Sequence, residues 1–271
     1  MASNEPERAR WNDAYWTAAW PRREAMTAVV TPHLVAALDP REGEAILEVG
    51  SGGGVATFAI AERVGVGRVV GVDLSAPLVA LARDRARERG LSNVAFVEGD
   101  AQEDTVAGGP FDAVASQFGV MFFDRAPRAF AHLRAQCTPG GRLAFACWAP
   151  VDQNPWALGP VLAPILGEPA PPEPGTSVVG PFALSDPVAT TALLEGAGWT
   201  NVRVEAQGAD ADLDGEVLVE DDYLTFLGVA PGDLARARRA VNDHLTPLTR
   251  HDGRVRVHLT FLIVTARNPG A

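Results

Sequence analysis

Apolar residues come in short blocks along this chain. The runs at 45–49, 68–73, 93–98, 111–116 and 142–148 are rich in Val, Ile, Leu, Phe and Ala and too short for helices, which predicts buried strands. Between them the apolar positions recur with a helical period. Val55, Phe58 and Ile60 mark a helix over 53–64, Leu78, Leu81 and Ala82 one over 76–89, and Phe130 and Leu133 one over 126–137. Gly65, Gly90 and Pro139-Gly140-Gly141 close these segments. Strands alternating with helices predict a right-handed, doubly wound parallel sheet.

The flanks read differently. Residues 5 to 37 are predicted helical, with Trp11, Tyr15, Trp16 and Trp20 near one face, an interruption at Pro21, and Met26, Val29, Val30, Leu34 and Leu38 continuing the apolar pattern. The first reading is a helical flap whose aromatics pack on the core; the second is that part of this flap closes over a ligand. Past Pro150 prolines accumulate, including Pro169-Ala170-Pro171-Pro172, so 151–186 reads as a long loop. A helix from Pro187 through Leu194, a strand at 201–206, an inserted pair of helices at 219–246 and a last apolar strand at 255–266 complete the chain. The expected division is a flap at 1–40, a nucleoside-binding core at 41–150, the proline-rich loop at 151–186, and the rest of the sheet with its insertion at 187–271.

Composition narrows the chemistry. At 271 residues, 47% hydrophobic and 21% charged, the chain has the makeup of a soluble globular protein with one large core. A formal net charge of −11 argues against nucleic-acid or membrane-surface partners, which require clustered basic side chains. All 23 basic residues are arginine, which excludes a lysine Schiff base, a P-loop lysine and a lysine nucleophile. Only Cys137 and Cys147 are present, which the pattern places in a helix and in a buried strand, and no disulfide framework follows. No export or membrane-spanning signal is read, so a cytoplasmic location is expected.

The chemistry concentrates at the ends of the first strands. Glu48-Val49-Gly50-Ser51-Gly52-Gly53-Gly54 runs from a strand into a glycine turn, with glycines at 50, 52 and 54; the dinucleotide fingerprint would place its third glycine at Val55. That fingerprint serves a pyrophosphate at a helix N-terminus. The spacing here suits a nucleoside ligand without phosphate, such as S-adenosylmethionine, and disfavours a nicotinamide dehydrogenase. Asp73 ends the second strand 25 positions after Glu48, where a carboxylate can accept both ribose hydroxyls; Leu74 follows it. Glu98-Gly99-Asp100-Ala101-Gln102 closes the third strand, where an acid can accept an adenine amino group and the next amide can donate to the ring. Ser116 and Gln117 close the fourth strand, and Phe118, Met121, Phe122 and Phe123 could wall an apolar site or belong to the core.

In order and spacing these motifs, with Val72-Asp73-Leu74-Ser75, Phe111-Asp112-Ala113-Val114 and Leu133 to Trp148, make the chain resemble a class I S-adenosylmethionine-dependent methyltransferase of the small-molecule type, over roughly half its length. The resemblance implies an α/β, Rossmann-like sheet of seven strands whose last strand, 255–266, is antiparallel. It implies S-adenosylmethionine as cofactor, with S-adenosylhomocysteine as its product, and donor contacts at Glu48, Gly50, Ser51, Gly52, Asp73, Leu74, Asp100, Ala101, Gln102 and Ser116. The turn reads Gly-Ser-Gly-Gly-Gly where the family often has Gly-Cys-Gly-Thr-Gly, and the fourth strand exits as Ser-Gln-Phe-Gly without the Asn-Pro-Pro-aromatic tetrapeptide of enzymes acting on nucleic acid or protein amino groups.

The expected activity is therefore methyl transfer to a small, hydrophobic or aromatic metabolite by in-line attack, governed by proximity and orientation. No catalytic residue is assigned; an already nucleophilic acceptor needs none. Tyr15, Phe118, Trp148 and Trp156 are the candidate acceptor liners. The alternative is a protein that binds the same nucleoside without methylating, as a regulator or a rearrangement catalyst. His244, His251 and His258 repeat at seven, but Pro247 and Gly253 break a common helix and no metal is expected. Nothing in the sequence fixes an oligomeric state.

Overall fold

The computed structural model describes residues 4–167 and 179–270; the Pro169–Pro172 run lies outside them. The chain opens with helices α1 (Glu5–Trp11), α2 (Ala14–Thr27) and α3 (Thr31–Leu38), the last two joined by a short 3-10 turn. Strand β1 (Ala45–Val49), helix α4 (Val55–Val64), β2 (Arg68–Asp73), α5 (Ala76–Glu88), β3 (Val94–Glu98), β4 (Phe111–Gln117), α6 (Ala126–Gln136) and β5 (Cys137–Trp148) follow. Then come α7 (Gly159–Leu166), α8 (Pro187–Gly196), β6 (Thr200–Asp214), α9 (Asp221–Phe226), α10 (Leu234–Leu245) and β7 (Arg254–Arg267).

The seven strands form one sheet in the order β3-β2-β1-β4-β5-β7-β6. The first five are parallel, and β7 runs antiparallel to both β5 and β6. The order reverses between β1 and β4, so the loops leaving those two strands diverge and open a crevice at their carboxyl ends, where such sheets bind ligands. The central strands are buried on both faces: Ile46, Leu47, Phe111, Val114 and Phe145 have no more than traces of exposed surface. Trp199 locks the far half to the near one, its indole donating to the Phe130 carbonyl of α6 at 2.9 Å.

Four elements depart from the sequence reading. Helix α2 continues through Pro21, and the break falls instead at Asn12-Asp13, where the Asp13 carboxylate accepts the Tyr15 amide at 2.8 Å and restarts the helix. Pro21 forgoes one amide bond, and contacts of Trp16, Trp20 and Glu24 with the rest of the molecule hold the helix around it. Strand β6 reaches Asp214, because β7 supplies a continuous partner from Arg203 onward to a run whose own residues, Gly208-Ala209-Asp210-Ala211-Asp212, favour no strand. Helix α7 occupies part of the segment expected to be loop, with Pro160 in its first turn and Pro164 inside. The Pro139-Gly140-Gly141 turn is absorbed into β5 as an irregularity: Phe111 pairs with Cys137 and Ala113 already with Arg142.

Candidate active site

One cavity of about 490 Å³ lies over the carboxyl ends of β1, β2 and β4 and beneath α1 and α2. Its polar side is built by the strand exits. Backbone geometry there is specific: Gly50 has φ +70°, and a Cβ on it would stand 2.7 Å from the Gly119 Cα, so the β1 and β4 exits can meet only as glycine against glycine. Gly52, at φ +51°, sits under the Trp20 ring, where a Cβ would come within 2.2 Å of it.

Glu48, Gly50, Ser51, Asp73, Leu74, Asp100 and Ala101 all line this cavity. Asp73 is held by two backbone donors, the Gly52 amide at 2.7 Å on Oδ2 and the Ser75 amide at 2.9 Å on Oδ1. Each oxygen keeps a lone pair, so the carboxylate can still accept two hydroxyls. Burial raises its pKa. Asp100 is held by the Gln102 amide at 3.0 Å, and burial raises its pKa too. Glu48 is nearly inaccessible and bonded to the Thr57 hydroxyl; burial pushes its pKa up to about 8, so it is largely protonated at neutral pH. The Ser51 hydroxyl is buried without a hydrogen-bond partner. An orphan hydroxyl and the half-used Asp73 carboxylate beside glycine backbone fit a ligand with ribose hydroxyls and an amino-acid tail.

Three expected donor contacts stand away from the wall. Gly52 is covered by Trp20. Gln102 is buried, its amide group turned to Asp100 and to the Arg125 amide. The Ser116 hydroxyl is fully consumed inside the protein: it donates to the Val49 carbonyl at 2.8 Å and accepts the Gly119 and Val120 amides, pinning the glycine contact in place.

The opposite side is aromatic. Phe118, Trp148 and Trp156 line it, Phe118 stacking on Trp148 at 4.0 Å and Trp148 lying 4.5 Å from Trp156. Phe118 has φ +63°, a strained value for such a side chain, which the Ala146 carbonyl holds through its amide at 3.0 Å. Tyr15, an expected liner, stands one layer back, stacked between Tyr223 and Phe226, which do line the cavity. Sequence reasoning placed the flap and the insertion near the site but did not single out Arg23, Tyr223 or Phe226. The spacing of 223 and 226 on one face of α9 was the available signal.

The flap is fastened to the polar side. Glu24 accepts from Trp20 at 3.1 Å and from Arg85 of α5 at 2.7 Å, while Arg85 also donates to the Gly53 carbonyl at 2.9 Å. Asn12 donates to the Leu74 carbonyl and accepts the Ala76 amide, both at 3.1 Å. The three histidines of the seven-residue repeat lie apart from the cavity; His258 pairs with Asp210 on the outer sheet edge.

A family model described as a methyltransferase domain matches residues 46–141, which run from β1 into β5 and include every carboxylate exit of the polar side. Over these residues the chain is similar to the class I S-adenosylmethionine-dependent methyltransferases. Among curated relatives, the chain is 32% identical over 183 residues to nocamycin O-methyltransferase of Saccharothrix syringae, covering 64% of this chain and 65% of that one. It is 36% identical over 113 residues to aklanonic acid methyltransferase of Streptomyces sp. strain C5, covering 41% and 51%. The chain thus spans about half to two thirds of the length of these relatives. In fold it is similar to a putative methyltransferase from Bacillus halodurans C-125, with a TM-score of 0.61, 19% identity, and coverage of 88% of this chain and 98% of that one. No helix among the described residues is long and apolar enough to cross a membrane.

Proposed function

We propose that this protein transfers a methyl group from S-adenosylmethionine to a small, ring-bearing apolar acceptor. The observation that carries the reading is that one cavity joins the glycine-and-carboxylate exits of β1 to β3 to an aromatic chamber. The donor, when bound, supplies a methyl group activated by a sulfonium centre. Asp73 accepts the ribose hydroxyls, Asp100 the adenine amino group, and the Ser51 hydroxyl donates to the amino-acid tail; Gly50 and Gly52 keep the turn's backbone in place beneath. Phe118, Trp148 and Trp156 hold the acceptor's ring, and the fastened flap excludes water. Orientation along the attack axis is the protein's main contribution, worth several kcal/mol by general experience with oriented reactants. The names of the two curated relatives support a small-molecule acceptor.

The test is transfer of a labelled methyl group across a panel of small aromatic metabolites, run beside calorimetry with S-adenosylhomocysteine. Transfer supports the reading. Tight binding with no transfer to any member would favour the non-methylating alternative, and no binding at all would refute both.

A further inference from the structure

Arg23 is a cation in the cavity wall without an anion. Every other arginine of the flap has a carboxylate partner: Arg8 with Glu98, Arg10 with Glu7, Arg22 with Glu220. Arg23 has none among the described residues, in a chain of net charge −11. Its guanidinium donates instead to two hydroxyls, Tyr223 and Tyr15, both at 3.2 Å. It lies 3.9 Å over the Tyr223 ring and 5.4 Å over that of Trp16. Its Nε is buried with no acceptor, and so is the Nε1 of Trp16, another wall residue. Both tyrosine hydroxyls, having accepted from Arg23, still carry a hydrogen to give. Three donors, on Arg23, Trp16 and Tyr223, thus gather on one wall with no acceptor among the described residues, beside the apolar Phe226 and Leu227 and with the Tyr15 hydroxyl one layer behind. Buried donors are rarely left so, which marks a place completed by a ligand.

We propose that Arg23, with Trp16 and Tyr223 and backed by Tyr15, forms a seat for an anionic oxygen of the methyl acceptor, so that the acceptor is an aromatic or polyketone-like acid carrying a carboxylate or an enolate. The inference rests on the methyltransferase reading and deepens it. The anion belongs to the acceptor and not to the donor's carboxylate because the partners of Arg23 come from α2 and α9, while the acids at the donor exits, Glu48, Asp73 and Asp100, are not among them. Burial works against the charge on Arg23, yet the tyrosines hold its pKa above the usual arginine value. Burial also raises the Tyr15 pKa, keeping its hydroxyl a donor. A guanidinium between aromatic faces suits a planar anion, which it can grip by its fork and stack upon at once.

The test uses the full chain saturated with S-adenosylhomocysteine and two matched probe pairs: 2-naphthoate against 2-naphthamide, and the enolate of 2-phenylindane-1,3-dione against neutral 2-phenylindan-1-one. Wild type should bind at least one anion about tenfold or more tighter than its neutral partner, the size expected of charge-assisted hydrogen bonds. Arg23→Gln should bring that ratio to within about twofold, and Arg23→Lys should keep part of it. Both variants should bind S-adenosylhomocysteine within about twofold of wild type, which certifies their fold. No anion preference in wild type, or a preference that survives Arg23→Gln, would overturn the proposal. So would an Arg23→Gln variant that loses affinity for S-adenosylhomocysteine but not for 5′-methylthioadenosine, because the seat would then serve the donor's carboxylate. Failure of wild type to bind S-adenosylhomocysteine would refute the methyltransferase reading itself.

Discussion

The two sides of the cavity are built on opposite principles. The polar side consists of backbone and short side chains at the ends of parallel strands, fixed by hydrogen bonds: Ser116 pins the Gly50–Gly119 contact, and Asp73 is clamped by two amides. The aromatic side consists of large rings from α1, α2, α9, the β4 exit, the end of β5 and the segment after it, held by stacking, with one flap guanidinium that has no carboxylate partner among the described residues. A rigid cradle can hold an invariant donor. The rings on separate helices, Tyr223 and Phe226 of α9 among them, can be re-cut for different acceptors without disturbing the sheet.

This contrast can be broken experimentally. The largest expected effect is on donor binding: Asp73→Ala should weaken S-adenosylhomocysteine by about 100-fold in calorimetry, since two hydrogen bonds to a charged acceptor are lost. Asp73→Asn, which keeps one acceptor oxygen and can still hold an amide, should lose less. Next is stability. Gly50→Ala forces a Cβ to 2.7 Å from Gly119 at φ +70°, so chemical denaturation should show a loss of about 2 to 4 kcal/mol.

The pH dependence follows from Glu48. Its folded pKa of about 8 lies above the ordinary 4.5, so the folded state holds the proton more tightly than the unfolded one. That contribution is fully present below about pH 4.5 and is lost as pH rises through about 8, by an amount on the order of a few kcal/mol. Glu48→Gln cannot titrate, and its unfolding free energy should lack this decline between pH 5 and 9. A wild-type stability that rises across that range would contradict the assignment. The smallest effect belongs to the aromatic side: Trp156→Ala should change S-adenosylhomocysteine affinity by less than about twofold while weakening a bound aromatic probe about tenfold. Equal effects on both would mean that the two sides are not separable.

The same contrast explains what could be read from the sequence. The polar side is local: glycines, an acid at a strand end and an Asp 25 positions on are legible because each acts through its immediate backbone. So were β1 to β4 and the antiparallel β7. Ser116 was misjudged because its partners, Val49 and Gly119, depend on two strands meeting. Tyr15 was placed one layer too far in, because only the arrival of α9 shows which ring faces the ligand. Arg23 had no signature at all; its meaning is the absence of a carboxylate partner among the described residues, which requires coordinates. The far end of β6 was hidden for a related reason, since its Asp and Gly residues take strand form from β7, whose Arg256 and His258 pair with Asp210.

The most direct test is a crystal structure with S-adenosylhomocysteine bound. It should show the ribose on Asp73, the adenine beside Asp100, and the sulfur facing the chamber of Phe118, Trp148 and Tyr223. Adenosine lodged among those rings, or a ligand outside the β1 and β2 exits, would contradict the division of the cavity.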